Sequence, residues 1–179
     1  MRLIAAAATT FARMGYANAA VADVIATAKM SRRSFYEHFK SKEDVLLAIV
    51  RQNGTALLNA TRKVMESKED PVERIEATVT LLAQIAMGLP IIGYQVMAAG
   101  EEPSKLRMNY VREFIGLLAV EVDRAHAMGK FSRPADPATI EILIGGVDAL
   151  GLSYHLEGKS RQITAVAPVI RELFLRAFR

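Results

Sequence analysis

The stretch VADVIATAKMSRRSFYEHFKSK, residues 21–42, spells two short helices around a tight turn. Val21, Val24, Ile25 and Ala28 fall on one side of the first helix at helical spacing. Ser31 stands where an N-cap belongs, just before the second helix, whose Phe35 and Phe39 repeat at i, i+4. Met30, Phe35 and Phe39 form the inward set, packing on Val24, Ile25 and Ala28. The outward set is Arg32, Arg33, Ser34, Tyr36, Glu37 and His38. Long polar side chains on one face of a short, supported helix suit the edges of base pairs in a major groove, and arginine suits guanine or phosphate. Lys42 opens the next helix, where its ammonium and the free N–H groups are both placed to meet a phosphate. An ordinary helical hairpin with a basic, solvated exterior fits the same composition, and residues 21–42 alone leave both readings open.

Charge is compatible with the nucleic-acid reading, although by itself it suits a solvated helix face better. The chain of 179 residues has a formal net charge of +4, and residues 1–50 hold seven Lys/Arg against four acids. The excess is densest from Lys29 to Lys42, the footprint expected of a surface for phosphate backbones. Half the residues are apolar (51%), which predicts a folded core, and there is no cysteine, so thiolate sites and disulfides are excluded. A cytoplasmic location is expected, since MRLIAAAATTFARMGY lacks the order of a signal peptide. Residues 77–100 carry no charge, but Pro90 divides them, so two buried helices joined there are expected rather than a membrane span.

The whole chain reads as helical. Ile4, Ala7, Ala8 and Phe11 pattern the first helix, which Gly15 ends, and Ser41 caps a long fourth helix from Lys42 to about Ser67. Asp70-Pro71 and Asp136-Pro137 are N-cap and first-turn signals for two more helices, ending near Gly88 and Gly158. A short helix is expected from Pro90 to Gly100, a long one from Glu102 to near Gly129, and a last one after Ser160. The expected architecture is all-α with about nine helices. A three-helix DNA-binding domain at 1–48 is joined by the long helix to a helical ligand-binding and dimerisation domain at 49–179.

From Ile4 to Val50 the sequence resembles the N-terminal domain of TetR-family transcriptional regulators. The matching elements are Ala7-Ala8…Phe11, Gly15-Tyr16, Val21-x-Asp23-Val24-Ile25-Ala26, Ala28-x-Met30-Ser31 and Phe35-Tyr36-x-His38-Phe39-x-Ser41-Lys42-Glu43. The resemblance implies phosphate contacts from Tyr36, His38 and Lys42, and places Arg32, Arg33, Ser34, Tyr36 and Glu37 nearest the bases. Three positions depart from the family pattern. Ala20 replaces a usual Ser or Thr, Lys29 a usual turn glycine, and Arg33 another common glycine. Lys29 adds a positive charge beside the DNA backbone while taxing the turn. Arg33 becomes a leading specificity residue.

The second half carries Met87, Tyr94, Met97, Met108, Tyr110 and Phe114, an adaptable apolar set suited to a small-molecule pocket and equally suited to a plain core. The segment IEILIGGVDALGLSYH, residues 140–155, joins apolar and small residues on one late helix. Such a face suits burial by a second subunit, and Ile163, Val166, Ile170, Leu173 and Phe174 of the last helix are expected to complete it. The resemblance likewise implies a homodimer through helices at about 137–157 and 161–177. Asp148, inside that run, is expected to need an intersubunit arginine or a cationic ligand.

No Glu-x-x-His pair, GxSxG, HExxH, P-loop or dinucleotide glycine pattern occurs, so neither an enzyme nor a cofactor is expected. The expected function is a DNA-binding transcriptional regulator, a repressor released from a palindromic operator by a small molecule. A ligand-free architectural or orphan DNA-binding dimer is the alternative.

Overall fold

A computed structural model describes residues 2–88, 96, 98–159 and 163–179, with the side chains of all but 86–88, 163 and 164. Among these residues there are eight helices and no strand. They are α1 (Arg2–Met14), α2 (Val21–Ala28), α3 (Arg32–His38), α4 (Lys42–Glu66), α5 (Pro71–Gly88), α6 (Glu101–Ala127), α7 (Pro137–Leu156) and α8 (Ile163–Arg176). The helix expected from Pro90 to Gly100 lies mostly outside the described residues, as does the expected cap Ser160.

The helix boundaries are set where the sequence supplies capping chemistry. Ser31 Oγ accepts from the Ser34 amide at 3.0 Å, and Ser41 Oγ accepts from the Asp44 amide at 3.1 Å. Asp44 reciprocates, accepting from the Lys40 amide at 3.0 Å. Asp70 accepts from the Val72 amide at 2.8 Å to start α5. Asp136 accepts from the Ala138 and Thr139 amides, both at 3.2 Å, to start α7. Hydrogen bonding from Thr139 holds the Asp136 carboxyl below its ordinary range. Gly15 ends α1 with φ 79°, the left-handed conformation in which a missing Cβ removes the clash.

The described residues form two compact units. The first comprises Met1–Ala56 and Ile91–Tyr110. Its core includes Leu3, Ala7, Phe11, Val24, Phe35 and Leu46, all buried. Thr10 joins this core although polar, because its hydroxyl donates to the Ala6 carbonyl at 2.8 Å. The buried stripe of α1 is therefore Leu3, Ala6, Ala7, Thr10 and Phe11, with Ile4 and Ala8 half-buried at its margin.

The second unit comprises Leu57–Pro90 and Val111–Arg179, with α5 packed against both α7 and α8. Ile75, Phe114, Leu118, Ile140, Phe174 and Phe178 are buried in it. The Phe178 ring lies 6.0 Å from Phe131 and 5.6 Å from Phe174, which anchors the end of the chain. Glu121 is the buried carboxylate of this unit, at 4% exposure. It is held by Arg124 at 2.7 Å and by Arg74 at 3.3 Å, as a buried charge requires.

One expectation for the late helices changes. Ile170 and Phe174 point into the chain's own core, leaving Leu173 and Val169 as exposed large apolar residues among the described side chains of α8. Asp148 is exposed on the single chain.

Candidate nucleic-acid interface

Turn geometry comes first, because it aims α3. Lys29 adopts φ 52°, the one positive value at a non-glycine among the described residues. Its amide donates to the Ala26 carbonyl at 3.2 Å, and the Met30 amide to the Ile25 carbonyl at 3.2 Å. This pair of bonds closes α2 in the Schellman manner. An L residue in the left-handed region costs ~1–2 kcal/mol relative to the right-handed one, and Lys29 bears that cost while leaving its side chain exposed. At the other end of α2, Ala20 has no side-chain acceptor. Only the return half of a capping box forms, with the Ala20 amide donating to Asp23 Oδ2 at 2.8 Å.

The inner face of α3 is fixed by Phe35, which is fully buried, with Phe39 half-buried and its ring 6.1 Å away. The outer face presents Arg32, Arg33, Tyr36, Glu37 and His38 to solvent. The Arg32 guanidinium lies 5.7 Å from the centroid of the Tyr36 ring, within cation–π range. Arg33 Nε donates to Glu37 Oε1 at 3.0 Å, leaving both terminal nitrogens of its fork unengaged by that carboxylate. Ser34 is half-buried, its hydroxyl 3.0 Å from that of Ser31, so it belongs to the cap as much as to the face.

Lys42 is placed differently from the expected phosphate-gripping side chain. Its ammonium turns inward and donates to the carbonyls of Tyr16 at 2.7 Å and Ala19 at 2.8 Å, with the Ala17 carbonyl at 3.5 Å. The Tyr16 ring covers it at 4.4 Å. Burial, and then the charge of Glu43, push the Tyr16 phenol above its ordinary range. The part of Tyr16 was not legible in the sequence, since the Lys42 bond spans 26 residues and no local pattern announces it.

The apolar set expected to line a pocket is only partly described. Met87, Tyr94 and Met97 lie outside the described side chains. Met108 is half-buried, and the Tyr110 ring packs on the backbone of α4 at Gly54, within the first unit. Phe114 is buried in the core of the second unit. One cleft in the second unit, of ≈ 560 Å³, is bordered by Lys68, Glu76, Thr80, Gln84 and Arg171 instead. Thr61 and Thr78, which do not border that cleft, are fully buried in the second unit, and neither hydroxyl has a hydrogen-bond partner among the described residues. Buried hydroxyls in that state each cost ~1–3 kcal/mol.

A short helix capped by Ser31, seated on Phe35 and bare on a basic outer face is the reading helix of a helix-turn-helix regulator. Comparison with known proteins narrows the class. Residues 3–49 match the family described as bacterial regulatory proteins, tetR family. Over 96% of this chain and 89% of the relative, the sequence is 25% identical to the HTH-type transcriptional regulator YdgC of Bacillus subtilis. The fold superposes on the fatty acid degradation regulator FadR from Bacillus halodurans with TM-score 0.87 at 20% identity, covering 99% of this chain and 98% of that one. It also superposes on FadR from Bacillus subtilis in complex with stearoyl-CoA, with TM-score 0.82 at 17% identity and coverage of 100% and 99%. Residues 3–49 thus carry the tetR-family DNA-binding domain, and the chain as a whole shares the fold of these regulators. Among the described residues no helix is long and apolar enough to cross a membrane.

Proposed function

We propose that this chain acts in the cytoplasm as a homodimeric repressor that reads a palindromic operator with two copies of α3 and leaves it on binding a small molecule. The observation that carries this reading is the outer face of α3, where five polar side chains stand bare beside a fully buried Phe35. Arg32, Arg33 and Glu37 face the bases, with Ser34 at their edge. Tyr36, His38 and Lys29 meet the phosphates, and Lys42 marks the start of α4 beside them. Residues 1–48 serve as the reading domain and 49–179 as the effector and dimer domain, without catalysis.

The dimer face is drawn from α7 and α8. Ile142, Gly145, Gly146, Ala149 and Leu156 recur at helical spacing along one exposed side of α7, with Ile142 at 73% and Leu156 at 76% exposure. A Cβ added at Gly145 or Gly146 meets nothing within 4 Å, so a partner helix has room for close approach there. Val169 and Leu173 offer a second apolar pair on α8, in line with the homodimers that this family forms.

The effector is a long-chain acyl-CoA in this proposal. Support comes from the likeness to the stearoyl-CoA complex and from Thr61 and Thr78, whose buried hydroxyls have no partner among the described residues, where polar atoms of a ligand would supply one. Phe114, in the core of the second unit, contributes apolar lining. The continuous helix α4 carries residues of both units and would serve as the lever. A ligand that prefers a conformation with the wrong spacing of the two α3 helices, which must sit ~35 Å apart, lowers operator affinity by that preference.

The test is fluorescence anisotropy on DNA that the protein has selected from a random pool. Stearoyl-CoA is titrated against the complex, with free CoA and stearate as controls. Release by stearoyl-CoA alone is the expected result. No release by any of the three would leave the ligand-free orphan dimer as the account.

A further inference from the structure

The position of Lys42 departs from a simple basic surface. A lysine ammonium has three donors. Here two are spent on short bonds to the Tyr16 and Ala19 carbonyls, and the third points at the Ala17 carbonyl. The segment after α1 curls back on itself, since the Ala19 amide donates to the Gly15 carbonyl at 3.1 Å, and this aims several carbonyl oxygens at one point. A ring of carbonyl dipoles is a cation site, and the Tyr16 ring face at 4.4 Å adds to it. Lys42 fills that site from the first residue of α4, and its side chain is half-buried.

We propose that Lys42 is a positioning residue whose ammonium cross-braces the 16–19 segment to α4 and makes no phosphate contact of its own. The brace holds the lead-in to α2, and α2 is the helix against which α3 is seated. Ala20 lacks the side-chain oxygen that would otherwise cap α2, so Lys42 supplies order at that end by another route. The affinity consequence rests on the DNA-binding function, but the cage is a property of the free protein.

Counterion release separates the two roles. Each phosphate contact contributes about 0.9 to the slope of log affinity against log salt, so losing one per protomer flattens the slope by about 1.8 for a dimer. The substitution Lys42→Met keeps the stem and removes the ammonium. The expected result is a lower melting temperature and a parallel loss of affinity at every salt concentration, with the slope changed by less than about 0.5. A flattening of about 1.8 would overturn the proposal, whatever the melting temperature does.

Reductive methylation of the unsubstituted, DNA-free protein, read by peptide mass spectrometry, decides the question if the variant does not fold. Lys42 is expected to react far more slowly than the exposed Lys29 and Lys40. Equal rates would show that there is no cage. Since this second assay contains no DNA, its outcome is independent of whether the regulatory reading holds.

Discussion

Gly54 lies on α4, and a Cβ built there would fall 2.3 Å from Cγ, 2.4 Å from Cδ2 and 2.6 Å from Cδ1 of Tyr110. Comfortable carbon–carbon contact is about 3.5–4.0 Å, so Gly54→Ala forces the root of a ring back by about 1 Å or more. The root is the stiff end of the side chain, and the Tyr110 hydroxyl is 3.4 Å from Thr55 Oγ1, so rotation alone gives little relief. Overpacking of this kind costs ~1–3 kcal/mol, and contact at the ring root argues for the upper end. Alanine regains ~1 kcal/mol of helix propensity, leaving a net loss of ~2 kcal/mol. For a chain of this length that is a fall of about 4–8 °C in melting temperature. In a Tyr110→Ala background the clash is gone and only propensity remains, so the same change should raise stability by ~1 kcal/mol. Thermal and urea melts of the four proteins in the cycle measure the coupling, expected at ~3 kcal/mol with a change of sign. A stabilising Gly54→Ala in the original background, or the same shift in both backgrounds, would refute the reasoning.

Three further predictions concern the turn, the buried ion cluster and the dimer face. Lys29→Gly relieves the left-handed backbone and, after the entropy of glycine, should gain ~0.5–1 kcal/mol in a melt. The same change should lower operator affinity and flatten the salt slope by about 1.8 per dimer, so stability and binding move in opposite directions. Arg74→Met leaves the buried Glu121 with Arg124 alone and should cost ~2–3 kcal/mol. Glu121→Gln should cost less, because the Arg74 and Arg124 side chains retain 24% and 55% exposure and can rehydrate. Urea denaturation that ranks the two in the reverse order would contradict this. Ile142→Lys combined with Leu173→Lys should give a monomer by light scattering and abolish operator binding, while helical content is unchanged by circular dichroism.

Local chemistry made much of this molecule legible before its structure. Ser31, Ser41, Asp70 and Asp136 each declared a helix start, because a cap needs only its own next three residues. Phe35 announced the inner face of α3, while the strained turn at Lys29 was legible only through the family resemblance, which puts a glycine there. What escaped was set by distant or unusual satisfaction of polar groups. The stripe of α1 drawn through Ile4 and Ala8 omitted Thr10, which enters the core because its hydroxyl bonds to a carbonyl of its own helix. The inward turn of Lys42 depends on carbonyls up to 26 residues away. In α8, Ile170 and Phe174 looked like a face for a second subunit, yet Phe174 packs beside Phe178 at 5.6 Å, while Val169 and Leu173 stay exposed. Apolar periodicity identifies a buried face without saying which neighbour buries it.

The central claim is that α3 reads base sequence through the outer face it leaves bare. Parallel selection of duplex DNA from a random pool by the original protein and by Arg33→Ala tests it most directly. The account predicts a palindrome with half-sites one helical turn, ~35 Å, apart. It also predicts that Arg33→Ala loses preference at one symmetric pair of positions while keeping the rest, at a cost of ~1–3 kcal/mol for that contact. Enrichment of no sequence by the original protein, or an identical motif from both proteins, would contradict it.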